Sequence, residues 1–552
     1  GQPNAGGRMM DETGFLLGQG VAPEAFLYAT KIFDQKGRFM LVDTDLATLV
    51  EDAYTSGARI STNSWGKAIN GVYDPDARLF DALTRDAHTT PGNQQMLFVF
   101  AAGNDGPFDR SINSPGSAKN VITVGATENC DHGMMDGCGI GPEGSDSLRD
   151  IIHFSSRGPL ADGRLSPTLV APGTHVTGAA SDAWGFSGLG VCGRLESSLE
   201  AGELQNSWRY YPARQSFYTW ASGTSFATPL VAGAATLLHE FYLRELEQEP
   251  SPALIKAALI ASAKDTADGD LNNGTGQPAP SIPNMHAGWG RASIRDIVLD
   301  DGPNQFVIDQ TEILQSGDVY EYEFQVVDPT IPLKVVLVWT DAPAAANAAK
   351  ALVNDLDLEL TNGIDTWRGN VFVDGYSVPG GEFDRLNNTE AIYIQAPQAG
   401  VYTVRVRAHE IMADAIPGEG EDLEQDFALV ILNGSNKAQG NITFNKPVYK
   451  CNDEMWISVA HSDRADAGQI SVTVTNVNQG ASKTVMLTEV EAPSGIFQGR
   501  IQLTSDQTQG EGDGFLYFGE DNELATEQGF RALVAAGQVQ ARLRGTGPLK
   551  RM

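Results

Sequence analysis

Through roughly its first 300 residues the chain alternates apolar stretches of buried-strand type with stretches of helical periodicity. That alternation restricts the fold more than any other feature. Residues 58–66 read as a strand ending in a tight turn, and 96–104 and 120–126 as fully buried strands. Between them, Leu46, Leu49, Val50 and Ala53 share one helical face, with Gly57 as a stop. A second helix starts with Asp74 as cap and Pro75 in its first position. A further helix runs from Ser251-Pro252 through Ser262. Residues 20–33 read as a turn feeding a buried strand. The pattern predicts a parallel α/β sheet with helices on both faces. Ligands of such sheets bind beyond the carboxyl ends of the strands, where Trp65-Gly66 and Gly103-Asn104 lie.

Past residue 300 the period changes to two. Residues 332–339 and 401–407 read as strands; in the second, Tyr402, Val404 and Val406 alternate with Thr403, Arg405 and Arg407. The expected organisation is an α/β domain over 1–300, a β-sandwich or jelly roll over 301–433, a polar linker over 434–440 and a second β-sandwich-like module over 441–545. The stretches 1–19 and 545–552 read as a loop and a disordered tail. A length of 552 residues fits two to four domains. The formal charge of −32 argues against nucleic acid as a partner and fits a soluble chain in salty or calcium-containing surroundings, or simply a solvated acidic surface. No apolar run reaches membrane-spanning length, and no signal peptide opens the chain. Of the four cysteines, Cys130 and Cys138 bracket a short loop that a disulfide would close, Cys192 and Cys451 have no evident partners, and none has zinc-ligand spacing.

The chemistry centres on 218–233, where small residues crowd Ser225 and an apolar run comes next with Ala232, Ala235, Leu238 and Phe241 at helical spacing. Pro229 suits a first helical turn, which puts Ser225 at a loop-to-helix junction in the positive field of a helix N-terminus. Read alone, this is a capped helix with a small-residue packing face. The full block Gly223-Thr-Ser225-Phe-Ala-Thr-Pro229 resembles the nucleophile motif of the subtilisin-like serine proteases.

That resemblance implies roles for other segments. Phe100-Ala-Ala-Gly-Asn104 resembles the family's strand end bearing the oxyanion-hole Asn, although Gly-Asn-Asp-Gly in isolation is a common turn. Ser64-Trp65-Gly66 resembles the segment that pairs with a bound peptide backbone, and Ala101-Ala102-Gly103 a wall of the specificity pocket. Asn113 is expected near the base of that pocket, and Trp65 has ordinary core packing as its alternative role. Phe226 stands where many relatives carry an oxidisable Met. In the second domain, 337–343, 352–358 and 383–388 resemble the β-barrel domain of certain alkaline subtilases, the KP-43-like group. The implied cofactor is structural calcium, with Asp355, Asp357, Asp384 and Asn387 as oxygen donors and solvated carboxylates as the alternative.

The family's Asp and its His in Gly-Thr-His precede the oxyanion Asn, and neither is found here. Residues 20–25 resemble the segment immediately after that His, so the chain is expected to begin just past it. Pro172-Gly-Thr-His175 imitates the motif but lies between Asn104 and Ser225, the wrong order. The expected function is a secreted serine endopeptidase acting on polypeptides, nearly inactive and poorly stable without the upstream segment. The competing reading is a non-catalytic, protease-derived binding protein. Serine-carboxyl relatives of this fold place Asp at the oxyanion position, so Asn104 weighs against them.

Overall fold

The computed structural model describes residues 18–34, 39, 45–90, 92–130, 135–180, 217–246, 248–299, 303–326, 328–418, 422–436, 441–445, 448–450, 453–460, 468–476, 481–490, 495–504, 515–517, 523–526 and 539–545. Cys192, Cys451 and most of the expected loop at 1–19, linker at 434–440 and tail at 545–552 lie outside them.

The first domain is built on four parallel strands in the order β1 (Ile60–Asn63), β2 (Leu97–Ala101), β3 (Ile122–Thr127) and β4 (Leu169–Pro172). Alternation along β2 shows why helices cover both faces. Leu97 and Val99 join the core made with helices α3 (Thr224–Leu246) and α4 (Pro252–Ser262). Phe98 and Phe100 join the opposite core, with Phe80 and Leu83 of α2 (Pro75–Arg85). The helix starts obey local chemistry. Asp45 caps α1 (Leu46–Thr55) by accepting the Thr48 N–H at 2.8 Å, Asp74 caps α2 by accepting from Ala77 at 3.0 Å, and Ser251 caps α4 by accepting from Leu254 at 3.0 Å.

Three expectations are corrected. Residues 20–33 form no strand: only Phe33 makes a bridge, to Phe39, while Phe26 and Leu27 are 103% and 94% exposed. An extended segment needs a neighbour for its backbone groups, and none lies beside it among the described residues. Pro229 is not in the first turn, because α3 already begins at Thr224. The Cys130–Cys138 bridge does not form: Cys130 is free, its Sγ near the Asp146 carbonyl at 3.9 Å, whereas Cys138 Sγ accepts the Ser222 N–H at 3.0 Å. Cys138 is already disulfide-bonded to another cysteine.

A hairpin of β5 (Val176–Ala179) and β6 (Tyr218–Ala221) leads into α3. Beyond it stand two antiparallel sheets. One has the order β11-β10-β15-β8-β17, with β8 Val319–Val326, β10 Asp355–Thr361, β11 Thr366–Arg368, β15 Gly400–Glu410 and β17 Ser435–Asn436. The other has the order β14-β9-β16-β7, with β7 Gln305–Leu314, β9 Leu333–Val338, β14 Thr389–Ile394 and β16 Gln425–Leu432. Leu356, Leu358, Val404 and Val406 meet Val335, Leu337, Leu429 and Ile431 in one core. Because Ser435–Asn436 pairs with β8, the expected linker begins inside this sheet.

The second sheet is buried on both faces. Val336, Val338, Ala428 and Val430 turn the other way, into the core that holds α4. Every residue of α4 is buried in consequence. Lys334 donates to the Ala261 and Ala263 carbonyls at 2.9 and 3.2 Å, closing the end of that helix. Burial lowers the Lys334 ammonium to about 8. Further along, Met455, Ile457, Val472, Val474, Phe497 and Leu503 form the core of a third, β-only module.

Candidate active site

The end of β2 and the start of α3 meet through one side chain. Gly103, at φ +111°, turns the chain out of β2; a Cβ there would fall 2.6 Å from Asn113 Nδ2. The turn exposes Asn104, whose Oδ1 accepts both the N–H and the hydroxyl of Thr224 at 2.9 Å. With its oxygen so held, the amide nitrogen is left free: Asn104 Nδ2 donates to nothing among the described residues. Thr224 directly precedes Ser225, so residues 104 and 225 share one cleft. Gly173 provides the space beneath, since a Cβ on it would meet Ala126 Cβ at 2.5 Å and the Gly223 carbonyl at 3.1 Å.

Ser225 lies in the first turn of α3, where its N–H has no intrahelical acceptor. Its carbonyl would ordinarily accept from residue 229, but Pro229 has no N–H. The Ser64 hydroxyl supplies the bond instead, at 2.8 Å. Thus a proline that would weaken an ordinary helix ties the Ser225 segment to the end of β1. The Ser225 hydroxyl has one neighbour among the described residues, the Ser64 carbonyl at 3.5 Å, the outer limit of a hydrogen bond. No imidazole or carboxylate of the described residues reaches it. His175 is buried, its N–H donating to Ser222 Oγ at 3.1 Å and its ring edge-on to Trp220 at 5.1 Å.

The expected substrate edges divide. Trp65 spends its ring on the core, 5.5 Å from Phe100 and 6.1 Å from Phe80, with its indole N–H on Asn63. Its main chain and that of Gly66 form no backbone hydrogen bond among the described residues and remain open to an added strand. Ala101, Ala102 and Gly103 are buried; Ala102 already donates to the Val124 carbonyl and accepts from the Asn113 N–H. Asn113 Oδ1 is buried beside Gly103 without a partner.

The four expected calcium donors are neighbours whose oxygens are occupied. The Arg385 guanidinium bonds to both Asp355, at 3.2 Å, and Asp357. Asp384 accepts from the N–H groups of Leu386 and Asn387 and from the amides of Asn370 and Asn387. Asn387 Oδ1 accepts the Leu165 N–H at 2.9 Å. A divalent cation at Asp355 and Asp357 would have to displace the Arg385 guanidinium that bonds to both. Burial, with Asp357 adding to it and Arg385 opposing, raises the Asp355 carboxyl to about 6. Elsewhere, carboxylate oxygens of Glu128, Asp146 and Asp150 lie within 4.8 Å of one another, and burial together with that repulsion raises Glu128 to about 7.

Sequence reasoning missed Thr224 and Ser64 as positioning groups. The Gly-Thr-Ser triplet contained the first in plain view, but its partner is 120 residues away.

The profile of the subtilase family (Peptidase_S8) matches residues 2–278. Among curated relatives, the serine protease/ABC transporter B family protein tagB of Dictyostelium discoideum is 26% identical over 472 residues, 65% of this chain and 23% of the relative. Pyrolysin of Pyrococcus furiosus is 30% identical over 40% of this chain and 14% of its own length. Serine protease AprX of Bacillus subtilis is 29% identical over 46% of this chain and 50% of its own. The chain thus spans less than a quarter of the first of these relatives. Among solved structures, Sphericase is 21% identical with a TM-score of 0.31, over 49% of this chain and 69% of that one.

Proposed function

The chain belongs to the subtilase family, and on that premise we propose that it carries the nucleophile and oxyanion half of a serine endopeptidase acting on polypeptides. The observation that carries this is the pair of 2.9 Å hydrogen bonds from Thr224 to Asn104 Oδ1, which aim the free amide of Asn104 at the cleft of Ser225.

In the proposed reaction Ser225 Oγ attacks the scissile carbonyl carbon, and its proton passes to a base. The negative charge that develops on the carbonyl oxygen is met by Asn104 Nδ2–H and the Ser225 N–H, reinforced by the helix N-terminus. Collapse of the tetrahedral species expels the amine, which takes the proton back, and water then hydrolyses the acyl-serine by the same route. The open main chain of Trp65 and Gly66 holds the substrate as an added strand. Ala101, Ala102 and Gly103 line the pocket, with Asn113 at its base.

The base and its orienting carboxylate are proposed to come from a further segment of the same protein, outside this sequence. Two observations support this. Ser225 Oγ has only the Ser64 carbonyl as a neighbour among the described residues. Among the described residues the sheet ends at β1, which pairs with β2 alone, and Phe26 and Leu27 stand exposed with no strand beside them. An open edge and an unpaired apolar segment are what a missing central strand would leave. Without base and orienter, catalysis in such a site falls to about 10³–10⁴ over water.

The test compares the 552-residue chain with the protein extended upstream in its reading frame, using casein hydrolysis and a fluorophosphonate probe. The extended protein should cleave and be labelled at Ser225, and Ser225→Ala should do neither. Brisk, Ser225-dependent cleavage by the shorter chain would refute the external base. An extended protein that is neither labelled nor active would leave a protease-derived binding protein as the better reading.

Phe226 should make the active protein tolerant of peroxide, since no thioether adjoins the nucleophile; a steep loss of activity in peroxide would contradict this. Structural calcium is proposed on the resemblance to the alkaline subtilases alone. Thermal unfolding should then occur at a higher temperature in calcium than in chelator, and equal midpoints would exclude it. Export is proposed on the resemblance to the subtilisin-like proteases, and recovery of the protein only from cells, not medium, would count against it. No helix of the described residues is long and apolar enough to cross a membrane.

A further inference from the structure

Where α4 passes beneath the sheet and meets the 387–389 loop of the second domain, a cavity of about 30 Å³ remains. That is room for a guest of water or halide size. Its lining is electrically one-sided: Lys119, Arg164 and Lys256 border it, and no carboxylate does.

Two of these cations are neutralised by direct contact, Lys119 by Asp341 and Arg164 by Asp162 at 2.7 Å. Lys256 is not. Its side chain is buried and has no salt bridge among the described residues; the ammonium donates one hydrogen bond, to the Lys119 carbonyl at 2.8 Å. Asp81 is the acid that acts on it through space, but Asp81 is occupied by the Tyr73 hydroxyl at 2.6 Å and the N–H groups of Lys119 and Asn120 at 2.8 Å. Another donor at the cavity is also unused. The Thr389 hydroxyl is buried without a partner, and Ser166 and Trp289 also line the cavity.

A buried ammonium with one acceptor must lose its proton or gain a counter-charge. The lining favours the second solution, since three cationic side chains and no carboxylate border the cavity and the unpartnered Thr389 hydroxyl can donate to an anion. We propose that this cavity is a binding site for one small monovalent anion of chloride size, which pairs with the Lys256 ammonium and is held by the Ser166 and Thr389 hydroxyls. The ion would join α4 of the first domain to the loop leading into β14 of the second. Burial, with Arg164 adding to it and Asp81 opposing, brings Lys256 down to about 7 in the absence of such an ion; the anion would keep it charged at neutral pH.

Bromide provides the probe. Crystals of the protein in sodium bromide should show an anomalous peak within hydrogen-bond distance of Lys256 Nζ. In solution, sodium chloride should raise the unfolding midpoint above sodium gluconate of equal ionic strength, by about 2 °C at tenfold excess over the dissociation constant. Lys256→Met, which fills the space without the charge, should abolish that difference, and Thr389→Val should reduce it. A cavity holding only water in the bromide crystals overturns the proposal. So does a chloride-specific rise that is the same in the wild type and in Lys256→Met.

Discussion

Asn104→Ala is expected to lower kcat of the upstream-extended enzyme by about 10²–10³-fold with little change in KM, a loss of about 2.7–4 kcal/mol of transition-state stabilisation, as found on removing such a donor in a subtilisin. The cause is geometric. The amide oxygen is fixed by Thr224, so the nitrogen is presented without having to reorganise when charge develops. The ground-state carbonyl gains little from that nitrogen, and the tetrahedral oxygen gains much, so the loss should fall on kcat. Thr224→Ala removes the hydroxyl bond but keeps the N–H bond, and should fall between wild type and Asn104→Ala. Steady-state kinetics on one peptide substrate decide the matter. An Asn104→Ala enzyme with unchanged kcat, or one that loses only KM, would end the oxyanion assignment.

The second large effect concerns the union of the two domains. Arg85, at the end of α2, makes a two-pronged bond to Asp426 of β16, Nη1 to Oδ2 at 2.7 Å and Nη2 to Oδ1 at 2.5 Å, and also donates to the Thr340 carbonyl. Both side chains are buried, 7% and 4% exposed. Arg85→Met leaves the Asp426 carboxylate buried without its counter-charge, and should destabilise the protein by about 3–5 kcal/mol. The unfolding midpoint should fall by about 5–10 °C. Arg85→Met combined with Asp426→Leu removes the orphaned charge and should recover most of the loss. Differential scanning calorimetry distinguishes the cases. If the single and double variants unfold alike, the pair contributes through packing rather than through charge.

Much of this molecule was legible in its linear order. Caps such as Asp74-Pro75 and Ser251-Pro252 announce their helices because the bond they make is three residues long. The apolar run 97–101 announces a strand buried on both faces, and the alternation in β15 a strand with one buried face. The helix that carries Ser225 was legible for the same reason, its small residues and apolar face being contiguous. The misreadings have one origin. Residues 20–33 carry the pattern of a buried strand, yet a strand is a property of two segments, and no neighbour lies beside it among the described residues. Cys130 and Cys138 bracket a loop that a disulfide would close, yet Cys130 is free and Cys138 is bonded elsewhere.

Linear order thus sets the succession and kind of elements, and it singles out the proposed attacking serine and oxyanion amide, since each is written in residues that touch along the chain. Folding in three dimensions had to decide that Thr224 orients Asn104, that Ser64 completes the helix bond Pro229 leaves open, and that Lys256 is buried without an acid at its side. Those are contacts between residues more than a hundred positions apart, and no local periodicity encodes which distant atom will arrive at a given lone pair or proton.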